Sequence, residues 1–217
     1  MDDGVKGRAR EYDASGRRRR ADERRRAVIA AARELLEERG WTATTIADVA
    51  RTAGVSAESV YQRFGSKAAL VQEVFDVAIA GDDAPVAVAD RPENQRIRAE
   101  PDLRTKLRLY AEGAALRAER SARVQLAIRA GAGSDANVAD LWRTISEQRL
   151  VGVTMFARHL VASGGVREGV DEAEIADVVW TCLSVEVYDL LVLQRGWSTT
   201  AYADWLTRTL VAAVAEA

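Results

Sequence analysis

The chain has 217 residues, 48% hydrophobic and 29% charged, and a net charge of −2. That is the make-up of a soluble folded protein with one large domain or two smaller ones, and the slight acidity argues against a general nucleic-acid coat. One cysteine, Cys182, excludes an intramolecular disulfide, no run approaches the roughly 20 apolar residues of a bilayer span, and the charged start MDDGVKGRAREYD lacks the apolar centre of a secretory signal, so a cytoplasmic location is expected.

The distribution of charge says more than its sum. Residues 1–70 hold 15 Lys and Arg against 11 Asp and Glu, whereas the remainder holds 16 against 22. A basic front and an acidic back fit a protein that meets phosphate at one end.

Residues 1–20 have almost no apolar content and are expected to form a disordered basic arm. Helical periodicity starts near Asp22: Val28, Ala31, Ala32, Leu35 and Leu36 share one face, and Arg39-Gly40 supplies a stop. A shorter helix follows over 45–53, with Thr45 as N-cap, Asp48 completing a capping-box pattern, and Ile46, Val49, Ala50 and Ala53 at helical spacing. Gly54-Val55-Ser56 ends it. Gly54 tolerates a left-handed conformation and Ser56 caps a third helix over 57–64, whose Val60 and Phe64 face inward. After Gly65-Ser66 a fourth helix carries Leu70, Val71, Val74, Phe75 and Ala78 on one side. Each is too short to be stable alone, so they must pack together.

All three prolines, Pro85, Pro92 and Pro101, fall within 81–101, which reads as a linker or irregular connection. Beyond it helices are predicted over 103–119, 121–131, 136–163, 172–195 and 198–215, with no period-two strand and no internal repeat. The expected fold class is all-α: a helix-turn-helix domain at 21–80 and a larger helical domain at 102–217. Apolar residues surround the axis of the helix predicted at 172–195, so it must be buried on most sides.

Two short helices joined by a glycine-containing turn make a helix-turn-helix, whose second helix enters the DNA major groove. Here the run Gly40-Trp41-Thr42-Ala43-Thr44-Thr45-Ile46-Ala47-Asp48-Val49-Ala50, then Ala53-Gly54-Val55-Ser56, Val60-Tyr61, Phe64 and Ser66-Lys67-Ala68-Ala69-Leu70, resembles the signature of the tetracycline-repressor (TetR) family. The tail, Arg195-Gly196-Trp197-Ser198 with Tyr202, Trp205, Leu206 and Leu210, is similar to the last helices of many members. The resemblance implies a homodimeric, sequence-specific transcriptional regulator on a palindromic operator in double-stranded DNA. It implies most often a repressor released by a small-molecule effector, and no cofactor or metal is expected.

Thr44 and Thr45 stand at a helix N-terminus, where hydroxyls and free N–H groups bind phosphate. Tyr61 offers a phenol and Lys67 a point charge to the same backbone, a role the resemblance carries onto those two residues. With Val60 and Phe64 inward, Ser59, Gln62 and Arg63 are the base-reading candidates, since Gln pairs with adenine and Arg with guanine. Glu58 can accept from cytosine or serve as a solvated charge. Arg17, Arg18, Arg19 and Arg20 would follow the backbone or a minor groove as an arm.

In the second domain, Tyr110, Trp142, Met155, Phe156, His159, Trp180 and Glu186 are candidates for an effector pocket. Ordinary core packing is the alternative for each, and His159, near a helix end, also reads as a C-terminal capping charge. Leu183, Leu190, Trp205, Leu206 and Leu210 are expected at a dimer interface, where the last two helices of each subunit form a four-helix bundle as in the family. Two other classes compete. An enzyme would have to work with one histidine and one cysteine on different helices, without a glycine elbow, phosphate loop or metal spacing. A helical interaction module would keep the helix-turn-helix without reading DNA.

Overall fold

The computed structural model describes residues 4–84 and 90–216, with side chains from residue 16 onward. Expectations for residues 1–3 and 85–89 lie outside the described residues. The chain divides into two compact units, Met1–Val74 and Phe75–Ala217. That division falls inside the fourth helix rather than in the proline-rich stretch.

The first unit holds α1 (Gly4–Ala43), α2 (Ile46–Ala53), α3 (Ala57–Phe64) and the first half of α4 (Lys67–Ala80). Helix α1 is interrupted at Gly40, whose φ of 72° lies in the region that glycine adopts without strain. Its inner face, Val28, Ile29, Ala32, Leu35 and Leu36, is buried against Ile46, Val49 and Ala50 of α2, Val60 and Phe64 of α3, and Leu70, Val71 and Val74 of α4. Burying a side chain of that size contributes about 1.5–3 kcal/mol. Arg25 ties α1 to α4, donating from Nε to Glu73 at 2.9 Å.

Residues 17–20 differ from the expected disordered arm. They lie on α1 as exposed helix, because Arg, Ala and Glu are strong helix formers that continue the helix backwards from its packed part. An exposed Arg19–Glu23 pair, four residues apart at 3.7 Å, adds to that.

The second unit continues with α5 (Pro92–Ala99), α6 (Leu103–Gly131), α7 (Ala136–Ser163), α8 (Glu172–Cys182), α9 (Val185–Tyr188) running into a π-helical segment (Asp189–Gln194), and α10 (Thr199–Val214). Its core joins Leu107, Ala111 and Ala115 of α6, Val153, Phe156 and Leu160 of α7, Ile175 and Val179 of α8, and Tyr202, Leu206 and Leu210 of α10.

Three of the predicted elements change. The connection at 81–101 contains helix α5, because Pro92 occupies its first turn, where a missing N–H is no loss. Before it, Arg91 donates from Nη1 and Nη2 to the two Asp82 carboxylate oxygens at 2.8 and 2.9 Å, and this pair holds the Asp82 carboxyl down at about 2. The predicted pair 103–119 and 121–131 is one helix. The predicted helix over 172–195 breaks after Cys182, since Ser184 caps a new start by accepting from Val187 N–H. The carbonyl of Cys182, at the end of α8, accepts from the Tyr202 hydroxyl at 3.1 Å.

Lys106 is buried, with Nζ 2.8 Å from Ser163 Oγ and 3.0 Å from His159 Nε2. His159 is therefore no capping charge: burial, then Lys106 and Arg98, hold its pKa below the ordinary imidazole value, so its ring accepts from the lysine while neutral. A histidine with a lowered folded pKa binds fewer protons folded than unfolded, so its contribution is present above the unfolded pKa and shrinks as pH falls below it. The thermal midpoint should fall between pH 7.5 and 5.5, and His159→Gln should flatten that dependence. An equal slope in the variant would assign it to other groups.

Candidate functional site

Helix α2, its turn and α3 are built from local signals that agree. Thr45 caps α2 by accepting from Asp48 N–H at 3.1 Å, and its hydroxyl donates to Asp48 Oδ2 at 2.7 Å. Gly54 takes a left-handed conformation (φ 68°, ψ 33°) and donates its N–H back to the α2 carbonyls. Ser56 then accepts from Ser59 N–H at 3.1 Å, starting α3. With Val60 and Phe64 packed inward, α3 leaves Glu58, Ser59, Tyr61, Gln62 and Arg63 exposed.

The base-reading candidates Ser59, Gln62 and Arg63 lie on this exposed face, and hydrogen bonds and ring contacts set how the side chains stand. Tyr61 is 53% exposed, free to reach outward. Gln62 donates from Nε2 to Glu58 Oε1 at 3.1 Å across one helical turn, which aligns its amide along the helix. Ser59 Oγ lies 2.8 Å from Ser56 Oγ. Arg63 leans over the Phe64 ring at 5.6 Å.

The expected phosphate contacts separate into two kinds. Thr44 is buried, and its hydroxyl donates to the carbonyls of Leu35 and Gly40 at 3.0 and 2.8 Å. Its place is therefore structural: it closes the interrupted end of α1, and its hydroxyl does not face outward. Thr45 stays exposed at the start of α2. Lys67 donates to the Trp41 carbonyl and its Nζ stands 3.9 Å over the Trp41 ring, so its charge is placed by a buried aromatic that sequence reasoning did not single out for this role.

Comparison with known proteins addresses this unit first. Residues 28–74 match the family model for bacterial regulatory proteins of the tetR family. A 40-residue segment, 18% of this chain, is 50% identical to the HTH-type transcriptional regulator AlkX of Mycobacterium tuberculosis, and covers 19% of that protein. The likeness in sequence to the tetR family rests on this unit. Likeness extends to the whole fold. The chain is similar to the transcriptional regulator FadR of Bacillus subtilis, solved with stearoyl-CoA, at a TM-score of 0.68 and 20% identity, over 86% of this chain and 97% of that one. It is also similar to a transcriptional regulator of Saccharomonospora viridis in complex with choline, at a TM-score of 0.66 and 20% identity, over 90% and 100% of the two chains.

Outside the tetR-family unit, the expected effector residues do not all converge. Tyr110 and Phe156 stack with ring centres 3.6 Å apart, and Trp180 lies under Arg149. Trp142 packs partly buried on the core. Met155 is 57% exposed and faces away from it, because it is adjacent in helix α7 to the inward Phe156. Glu186 pairs with Arg129 at 3.0 Å, and His159 belongs to the Lys106 cluster. Among the expected dimer residues, Leu206 and Leu210 are fully buried within their own chain, so they are core of the single subunit; Leu190 is 53% exposed, and Leu183 and Trp205 are partly buried. No helix among the described residues is long and apolar enough to cross a membrane.

The buried Thr44 gives a direct test. Thr44→Val leaves the carbonyls of Leu35 and Gly40 without their donor and should cost about 1–3 kcal/mol in urea denaturation. An unchanged midpoint would show that the hydroxyl is not structural.

Proposed function

We propose that this tetR-family chain is a ligand-responsive, sequence-specific transcriptional regulator. In this reading residues 21–80 bind a palindromic operator, and residues 102–217 sense a small molecule and form a homodimer. The observation that carries it is α3: an eight-residue helix capped at both ends, with its apolar side fixed to the core and Ser59, Tyr61, Gln62 and Arg63 exposed. Those side chains supply one carboxamide and one guanidinium for base edges and two hydroxyls for bases or phosphate.

Thr45, Tyr61 and Lys67 serve the phosphates in this reading, and the exposed Arg17, Arg18, Arg19 and Arg20 extend the same positive face as helix. A dimer follows from the need for two half-sites, because one short recognition helix discriminates weakly. The exposed Leu190 and the partly buried Leu183 and Trp205 supply apolar surface left open within one subunit. The Bacillus FadR and Saccharomonospora structures, which hold an acyl-CoA and a choline respectively, support a small-molecule site in the second unit without fixing its ligand. An effector that prefers one arrangement of the dimer over another shifts the population that fits the operator. Release rather than recruitment is the sign the family resemblance favours.

Selection of bound duplexes from a random pool tests the reading. The expected product is a palindrome with two half-sites at a fixed spacing. On it, Tyr61→Ala should weaken binding to all sequences alike, whereas Gln62→Ala should lose about 1–3 kcal/mol of discrimination at one position per half-site. Enrichment of no sequence at moderate ionic strength would contradict a regulator and favour an interaction module.

A further inference from the structure

Besides Lys106, the inner faces of α6 and α7 carry Arg117 and Arg149, which stand outside the expected pocket residues. Tyr110, Gly113 and Arg117 follow one another on one face of α6 at helical spacing. The Arg117 guanidinium folds back over Gly113, where an added Cβ would meet Nη1 at 3.1 Å, and lies 5.9 Å from the Tyr110 ring centre. Glycine is a poor residue in mid-helix; here the missing side chain leaves room for the guanidinium. On α7, Arg149 donates from Nη1 to the Trp180 carbonyl at 2.8 Å and sits 3.4 Å over the Trp180 ring. Two turns further on, Phe156 stacks on Tyr110 at an interplanar angle of 10°.

Neither arginine has a carboxylate in pairing distance among the described residues. The Arg117 guanidinium makes no hydrogen bond or ion pair with any of them, and neither does the Tyr110 hydroxyl. Glu93 and Arg120 act on Arg117 with opposite signs from further away. Glu186 acts on Arg149 through space and makes its own ion pair with Arg129. Burial lowers the pKa of Arg117 and raises that of Tyr110, yet both keep accessible surface. Both side chains are partly covered, and their polar atoms stay open to solvent or to a bound molecule.

A partly buried guanidinium with no carboxylate beside it is a natural seat for a ligand of opposite charge. We propose that this site takes an amphipathic anion: a carboxylic acid with an apolar body, its carboxylate on Arg117 with the Tyr110 hydroxyl as second donor. The apolar body lies along the Tyr110–Phe156 and Trp180 rings, and Arg149 adds positive charge at the far end. Arginine suits the head group because its planar fork matches a carboxylate. The proposal rests on the effector reading of this unit and gives that effector its chemical class.

The full chain is titrated, below micellar concentrations, with dodecanoate, dodecanol and dodecyltrimethylammonium, read by thermal melting and by displacement of the fluorescent probe 1-anilinonaphthalene-8-sulfonate. Dodecanoate should raise the midpoint and displace the probe at lower concentration than the other two. Arg117→Met should weaken dodecanoate at least tenfold while melting, without ligand, no lower than the parent, because it removes a partly buried charge that has no ion-pair partner and keeps an apolar stem of similar length. Gly113→Ala, which crowds the guanidinium, should weaken dodecanoate less. Absent dodecanoate binding, equal binding of the three compounds, preference for the cation, or full affinity in Arg117→Met would each overturn the proposal. So would an Arg117→Met variant that melts lower than the parent, since that would mark a structural arginine. These readouts contain no DNA, so failure here is distinguishable from failure of the operator selection.

Discussion

A helix of eight residues does not hold together in water by its own hydrogen bonds, and both α2 and α3 have that length. Everything at the candidate DNA face depends on how this is overcome. Caps at Thr45 and Ser56 satisfy the first free N–H groups, the left-handed Gly54 satisfies the last carbonyls of α2, and the apolar sides of both helices close on α1. Once Val60 and Phe64 are fixed inward, the direction of Ser59, Tyr61, Gln62 and Arg63 follows from the helical repeat. The exposed face is a consequence of the core, which is why a small set of turn and cap residues carries so much of the family signature.

The same logic explains what could be read in advance. The capping box at Thr45, the Gly54 turn and the bounds of α3 and α7 all come from signals of one to four residues. Thr44 shows where such reading stops. Beside Thr45 in sequence it looks like a second surface hydroxyl, but the kink at Gly40 turns it inward onto the carbonyls of Leu35 and Gly40. In the same way Leu206 and Leu210 have the pattern of an apolar stripe, and only the packing of α10 on α6 and α8 decides that the stripe is used within the subunit. Pro92 and Ser184 were legible as helix starts, one at N1 and one at N-cap, and were masked by the surrounding prolines and by a continuous apolar run. The arginines on α6 and α7 carry no such local signal. Arg117 looks like any helical surface charge until the stack of Tyr110 on Phe156 shows which face is inside.

The two units thus place polar groups in opposite ways. In the first, charges and hydroxyls stand outside a closed core, ready for a large anionic partner. In the second, a guanidinium and a phenol on α6 are partly buried against aromatic rings with no side-chain hydrogen bond or ion pair among the described residues, the arrangement on which the proposed anion site rests. Arg120 donates to the carbonyls of Ala78 and Ile79 in the last turn of α4 at 3.1 Å, so the end of that helix is held by the same α6 that carries Arg117. Linkage then requires only that ligand and operator prefer different members of one population.

Hydrogen exchange of the full chain, with and without a selected operator duplex, tests most directly whether the exposed side of α3 is the part that meets DNA. The account predicts added protection concentrated at 57–64 and at the start of α2, with little change over 103–131. Protection confined to the second unit, or absent from α3, would contradict it.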